Sequence, residues 1–364
     1  MKKIKVIISG GGTGGHIYPA VAVAQELQKR IPGVDILFVG ASDRMEMEKV
    51  PKAGYKIVGL WISGLQRSMS IKNILWPVKV VSSVGRSLQI LKEFEPDVAI
   101  GFGGYASGAI VYAATLKNIP SLIHEQNSYA GITNKILKYQ VDTICVAYDK
   151  MDRFFPEYKI VKTGNPVRED LKNIENKREE AIRFFNLDPD KKTVLVIGGS
   201  LGARTINESI FNGLQKLQDA GLQLIWQTGK NFSSQLSTTD SRLLTARIFP
   251  FIYEMNLAYA AADMVVSRAG ALSIAELAQV KKPVILVPSP NVAEDHQTKN
   301  AMALVDREAA ILVKDIDAKN SLVDEVIKLA NNEMKQVQLK NNIATFAMPD
   351  AAEKIVDEVM KLIG

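Results

Sequence analysis

Short runs rich in valine and isoleucine recur through the first half of the chain, at Ile4–Ile8, Ile36–Val39, Val98–Ile100, Ser121–Ile123 and Thr143–Val146. Between them lie longer amphipathic stretches of helical period. Near-continuous apolar strands separated by such helices predict a parallel sheet covered on both faces. Around Lys162–Arg168 the pattern gives way to KTGNPVR and then to the highly charged Lys172–Arg183. It restarts at Thr193–Ile197, Leu222–Gln227, Ala246–Phe249, Met264–Ser267 and Val284–Val287. The two halves also open alike: IKVIISGGGTGGH (Ile4–His16) and KTVLVIGGSLGA (Lys192–Ala203) each read as a strand, a glycine loop and a helix start. The expectation is an α/β protein of two Rossmann-like domains, residues 1–163 and 164–364, facing each other across a cleft. Each glycine loop should then sit at the carboxyl end of its sheet. The amphipathic end, Ala351–Ile363, is expected to pack back as a helix on the N-terminal domain.

A length of 364 residues suits two domains. With 47% hydrophobic and 23% charged residues the chain is neither disordered nor collagen-like. The single cysteine, Cys145, excludes an intramolecular disulfide, and no secretion-signal pattern opens the sequence, so a reduced, cytoplasmic setting is expected. The uncharged stretch Val98–Leu116 is long enough to test as a membrane span. It carries Gly101, Gly103, Gly104 and Gly108, and reads instead as strand, glycine loop and helix.

Lysine and arginine outnumber the acids by 45 to 39, which favours an anionic partner. Between Gly64 and Phe94 five cations (Arg67, Lys72, Lys79, Arg86 and Lys92) face one acid, Glu93, and mix with Ile71, Ile74, Leu75, Trp76, Val78, Val80 and Val81. Nucleic acid is disfavoured as the partner, because no recognition motif, aromatic stacking run or cationic tail accompanies the charge.

Gly10, Gly12 and Gly15 have the spacing GxGxxG, which lets backbone N–H groups approach an anion at a helix start. A dinucleotide site should also place an acid at the end of the second strand, yet that strand ends Phe38-Val39-Gly40-Ala41, with Asp43 beyond it. A triphosphate loop is excluded because no Lys-Ser or Lys-Thr follows the glycines. His16 falls in the first helical turn, either as a proton acceptor held neutral by the helix end or as a residue bonded to a nearby carbonyl. The three histidines, His16, His124 and His296, are scattered and lack cysteine partners, against a zinc site. Gly198–Ser200 forms a second anion cradle. In SRAGALSIAE (Ser267–Glu276), Ser273 and Glu276 have capping-box spacing, while Glu276 is equally placed to hold a ribose diol. Two Asp-x-Asp sequences, at Asp188–Asp190 and Asp315–Asp317, read as surface turns rather than metal ligands. Without a metal, a departing diphosphate needs backbone N–H groups and a cation, for which Arg168 is the candidate.

Seven motifs, GGTGGH (Gly11–His16), GFGGYASG (Gly101–Gly108), HEQN with AGITN (His124–Asn127, Ala130–Asn134), GNPVR (Gly164–Arg168), GGSLGA, SRAGALSIAE and DHQTKNA (Asp295–Ala301), stand in the order found in the MurG family. The chain resembles these bacterial N-acetylglucosaminyltransferases of peptidoglycan synthesis over nearly its whole length. The resemblance implies the two-domain glycosyltransferase B fold and an inverting, metal-independent transfer without a cofactor. GlcNAc would pass from UDP-GlcNAc to the MurNAc 4-hydroxyl of lipid I, giving lipid II and UDP at the cytoplasmic face of the membrane.

By the same resemblance Ser200 meets the diphosphate, Ile252 offers backbone groups to uracil and Glu276 takes the ribose. Backbone at Ala271, Leu272 and Ser273 caps the diphosphate, Gln297 and Asn127 reach sugar hydroxyls, and Arg168 lies near the phosphates. Thr13, Gly14 and Gly15 complete the donor site, Gly14 and Gly15 also face the acceptor diphosphate, and Tyr105 helps place the acceptor. His16 and Glu125 are the two candidate bases. His296 stands where some relatives carry a glutamine, beside Gln297. The basic, apolar segment, with Lys72, Leu75, Trp76 and Lys79, reads as a face that docks on an anionic membrane, with Pro77 bending or interrupting any helix there. Other proteins of cell-wall synthesis or division are expected partners. The nearest rival readings are another UDP-sugar transferase or a UDP-GlcNAc epimerase.

Overall fold

The computed structural model describes residues 3–62, 76–199, 201–236 and 245–364. Lys72, Leu75 and Ser200 lie outside the described residues, as does the side chain of Trp76. In chain order the first elements are β1 (Lys5–Ser9), α1 (Gly14–Arg30), β2 (Asp35–Ala41), α2 (Glu46–Lys52), β3 (Lys56–Leu60), α3 (Trp76–Phe94), β4 (Val98–Gly101), α4 (Tyr105–Leu116), β5 (Ser121–Glu125), α5 (Ile132–Leu137), β6 (Thr143–Val146) and β7 (Ile160–Lys162). Then follow α6 (Arg178–Phe184), β8 (Thr193–Ile197), α7 (Arg204–Asn212), α8 (Leu214–Asp219), β9 (Gln223–Gln227), α9 (Lys230–Ser233), β10 (Ala246–Phe249), α10 (Met255–Ala261) and β11 (Met264–Ser267). The chain closes with α11 (Ala271–Val280), β12 (Val284–Leu286), α12 (His296–Val305), β13 (Ile311–Leu312), α13 (Ala318–Ala330), α14 (Glu333–Ala344) and α15 (Ala351–Ile363).

Two compact units result, Met1–Val167 with Met348–Gly364, and Arg168–Ala347. The first holds a parallel sheet of order β3-β2-β1-β4-β5-β6-β7 and the second a parallel sheet of order β10-β9-β8-β11-β12-β13. The central strands are buried along their length because helices cover both faces; all five residues of β8, TVLVI, are buried. In the first unit α15 lays Ile355, Val356 and Val359 into the same core as Ile17, Val23 and Leu27 of α1, with Cys145 buried beside them. Arg30 and Asp357 close that contact with an ion pair at 2.5 Å.

Strand order reverses direction between β1 and β4 in one sheet and between β8 and β11 in the other. In open parallel sheets the loops leaving such a pair diverge and leave a crevice at the strands' carboxyl ends. Each unit therefore directs two loops to one place: residues 10–13 and 102–104 in the first, residues 198–199 with 201–203 and residues 268–270 in the second. The stretch Val98–Leu116 is β4, a loop and α4, and among the described residues no helix is long and apolar enough to cross a membrane. Pro77 lies in the first described turn of α3, which runs on from there to Phe94.

Candidate functional site

In the first unit the two glycine loops interlock. Gly103 and Gly104 have φ of 93° and 90°, open to glycine and costly for other residues. A Cβ on Gly104 would lie 2.7 Å from the Gly11 carbonyl oxygen, and one on Gly103 would lie 3.1 Å from His16 Nε2. Thr13 is the N-cap of α1 without a side-chain cap bond; Gly14, Gly15 and His16 form the first turn. His16 Nδ1 bonds the Gly11 carbonyl at 2.7 Å. A carbonyl only accepts, so Nδ1 carries the proton and Nε2 is the acceptor nitrogen of the ring. The bond to a nearby carbonyl and the capacity to take a proton, alternatives by sequence, coexist here. Tyr105, the first residue of α4, is exposed beside the second loop.

Glu125 ends β5 and is buried. Its Oε1 accepts the backbone N–H and the side-chain amide of Asn127 at 3.1 and 3.2 Å, and its Oε2 accepts the Gly131 N–H and the Asn134 amide, both at 2.9 Å. Both oxygens are spent on shaping residues 127–134, so geometry favours a loop-holding role for Glu125 over that of a base. Its neighbour His124 is fully buried, with Nε2 on the Gly164 carbonyl at 2.8 Å and Nδ1 accepting from Gln126 at 3.1 Å. Burial lowers its imidazole to about 4, so it stays neutral.

In the second unit Gly202 has φ of 78°, and a Cβ there would lie 2.0 Å from the Thr228 carbonyl oxygen. Gln227, buried at the end of β9, joins two predicted donor segments: its Nε2 donates to the Gly199 carbonyl and its Oε1 accepts the Ile252 N–H, each at 2.9 Å. The Ile252 N–H is therefore engaged within the unit. Sequence reasoning missed Gln227, because a polar residue at a strand end carries no signal of a partner 25 or 28 positions away.

Helix α11 starts at Ala271 with Gly270 as N-cap and no side-chain cap bond. Ala271, Leu272 and Ser273 make its first turn, so Ser273 is inside the helix and the capping-box reading of Ser273 and Glu276 fails. Glu276 lies a turn further on, partly buried, where its Oε2 accepts from the hydroxyl of the fully buried Tyr259 at 3.2 Å. Burial pushes the Glu276 carboxyl up to about 7, against the opposing pull of Arg168 and of the Tyr259 bond. Arg168 is not a lone cation: Nε donates to Asp170 Oδ1 at 3.0 Å and Nη2 to Oδ2, a bidentate pair. Gln297, in the first turn of α12, accepts the Ser289 N–H on Oε1 at 2.9 Å. His296 precedes it and opens α12.

Asp190 N–H bonds Asp188 Oδ1 at 3.0 Å, as a surface turn does. Asp315 differs from expectation. It is largely buried, paired with Arg268 at 2.5 Å, and accepts the Thr205 hydroxyl at 3.0 Å. Its oxygens brace the β11 loop against α7. On the first unit, Val78 and Val81 of α3 are exposed, and the Lys79 ammonium lies 5.3 Å from the ring centre of exposed Trp61.

Residues 6–146 match the glycosyltransferase family 28 N-terminal domain and residues 193–355 its C-terminal domain. The fold and its glycine loops are thus those of a family 28 glycosyltransferase. The chain is 55% identical over 363 residues to the UDP-N-acetylglucosamine–N-acetylmuramyl-(pentapeptide) pyrophosphoryl-undecaprenol N-acetylglucosamine transferase of Cytophaga hutchinsonii, covering 100% of this chain and 98% of the relative. It is 52% identical over 368 residues to that of Parabacteroides distasonis, covering 100% and 99%. The crystal structure of Acinetobacter baumannii MurG superposes with a TM-score of 0.78 at 28% identity, over 98% of this chain and 99% of that one. The chain belongs to this family of N-acetylglucosamine transferases.

Proposed function

We propose that the protein transfers GlcNAc from UDP-GlcNAc to the MurNAc 4-hydroxyl of lipid I, giving lipid II and UDP, with inversion and without a metal. The observation that carries this reading is full-length identity above 50% to relatives named for that transfer. His16 is the base. With Nδ1–H bonded to Gly11, Nε2 takes the proton of the attacking hydroxyl as oxygen closes on the anomeric carbon. Negative charge then builds on the leaving diphosphate, and the N-terminal amides of α11 at Ala271–Ser273, together with the loop at Gly198–Ser200, stabilise it. Glu276 as carboxylate accepts from the ribose hydroxyls, and the uracil is read by backbone around Ile252. Gln297, whose Oε1 is occupied, offers its amide hydrogens to the sugar with Asn127. Arg168 acts on the phosphates with its charge partly balanced by Asp170. Thr13–Gly15 complete the donor site, Gly14 and Gly15 together with Tyr105 place the acceptor, and Glu125 holds the loop that carries Asn127.

The acceptor is lipid-linked, so the enzyme works at the cytoplasmic face as a peripheral protein. Exposed Val78, Val81 and Trp61 beside Lys79 suit shallow insertion into anionic lipid, together with Lys72, Leu75 and Trp76. The test is transfer of labelled GlcNAc from UDP-GlcNAc to a short-chain lipid I analogue, with and without EDTA, following UDP release. EDTA-resistant transfer is expected. Donor binding without transfer would move the acceptor to another class, and absence of both would sink the assignment.

A further inference from the structure

A carboxylate outside the chemistry so far described holds the first glycine loop from behind. Glu46, the first residue of α2, is 1% exposed. Its Oε1 accepts the Ala41 N–H at 3.0 Å and its Oε2 the Gly12 N–H at 2.9 Å. Its seat exists because two residues lack side chains: a Cβ on Gly11 would lie 2.1 Å from Oε1, and one on Gly40 would lie 2.5 Å from Cγ. Gly11, outside the GxGxxG spacing, is thus a glycine for the sake of Glu46.

The Gly12 N–H and the Gly11 carbonyl belong to one trans peptide, so they point to opposite sides. Glu46 takes the N–H on one side, and His16 Nδ1 donates to the carbonyl on the other at 2.7 Å. We propose that Glu46 is a positioning residue for the transfer, acting on His16 through the Gly11–Gly12 peptide. This rests on the reading of His16 as base. By fixing and polarising the peptide, the carboxylate strengthens the carbonyl as acceptor. It thereby selects the Nδ1–H tautomer and favours the imidazolium that forms when Nε2 is protonated. A triad aspartate does this by direct contact with its histidine; here an amide is interposed. In the step itself the acceptor O–H bond breaks and its proton goes to Nε2. The oxygen forms the new bond to the anomeric carbon, and UDP leaves with the electron pair of the old one. Nδ1 keeps its proton and Glu46 takes none.

The test is Glu46→Gln. Both carboxylate oxygens receive an N–H, so the amide must turn its own hydrogens onto one of the two donors and loosen the peptide. The expected result is a fall in kcat of about 10–100-fold, on the scale set by losing the outer partner that orients a metal-bound histidine, with a much smaller change in KM for UDP-GlcNAc. The second readout is the two-bond 15N–1H pattern of the histidines at about pH 8.5, where an ordinary imidazole is neutral. His16, identified by its loss in His16→Asn, should be Nδ1–H in the parent protein and gain Nε2–H in Glu46→Gln. An unmoved tautomer in the folded variant overturns the proposal whatever the turnover, and a moved tautomer with parental kcat does so too. If Glu46→Gln does not fold, the same pair of readings on Glu46→Asp, whose shorter arm draws back from Gly12, decides. His16→Ala separates the two claims: near-normal turnover there removes the base itself, whereas an unmoved tautomer removes only the relay.

Discussion

The ribose role proposed for Glu276 would make donor binding depend on pH with a predictable sign. Burial raises its carboxyl to about 7, so the group is protonated below that value and ionised above it. Only the carboxylate accepts from both ribose hydroxyls. At about pH 8 roughly ten molecules in eleven carry it and at about pH 6 roughly one in eleven, so affinity routed through Glu276 falls about tenfold, or about 1.4 kcal/mol. UDP-GlcNAc suits the assay because its diphosphate, esterified at both ends, does not titrate in this window. Calorimetry at both pH values should show the tenfold loss in the parent protein and a flat, weak affinity in Glu276→Gln. The stability of the free protein runs the other way. The folded group keeps its proton up to about 7 while the unfolded one releases it near 4.5, so stability falls as pH rises between those values. The thermal shift produced by donor should therefore be larger at the higher pH. Equal pH dependence in parent and Glu276→Gln would refute the reasoning.

His16→Ala should cut turnover by about 100-fold or more with UDP-GlcNAc affinity nearly unchanged, by single-turnover kinetics and calorimetry. Gly202→Ala forces a side chain into φ 78° against the Thr228 carbonyl and should cost about 2–4 kcal/mol in denaturant unfolding, with weakened donor binding. Replacing Val78 and Val81 by serine should release the protein from anionic vesicles in a flotation assay without changing transfer to a water-soluble acceptor; unchanged flotation would exclude that face from docking.

Alternation of apolar strands with helices was enough to read ten of the thirteen described strands, because a strand covered on both faces is largely apolar; β3, β7 and β13, at sheet edges and only partly buried, carry too weak a pattern. The motif glycines were legible for a similar reason: Gly104 and Gly202 stand where no other residue fits. Side chains whose partners are distant in sequence were not. Glu46 looks like an ordinary acid at a helix start, and its partner Gly12 is 34 residues away. Ser273 and Glu276 have the spacing of a capping box, but the spacing carries no information on where the helix begins, and Gly270 starts it earlier. Asp315 reads as a turn residue until Arg268, 47 residues before it, is seen to need a counter-charge.

The first unit is assembled from both ends of the chain, and that fixes an order of events during synthesis. All of the second unit, Arg168–Ala347, precedes Met348–Gly364, the segment that completes the first. The first unit is thus the last of the two able to close its core, because the seat for Ile355, Val356 and Val359 stays bare until the segment that follows the second unit has been made. A chain cut off after residue 347 would carry one finished unit and one with an exposed apolar groove, a substrate for chaperones. By the same logic a self-standing first unit needs residues 351–363 joined behind Val167, and no single cut separates the two units.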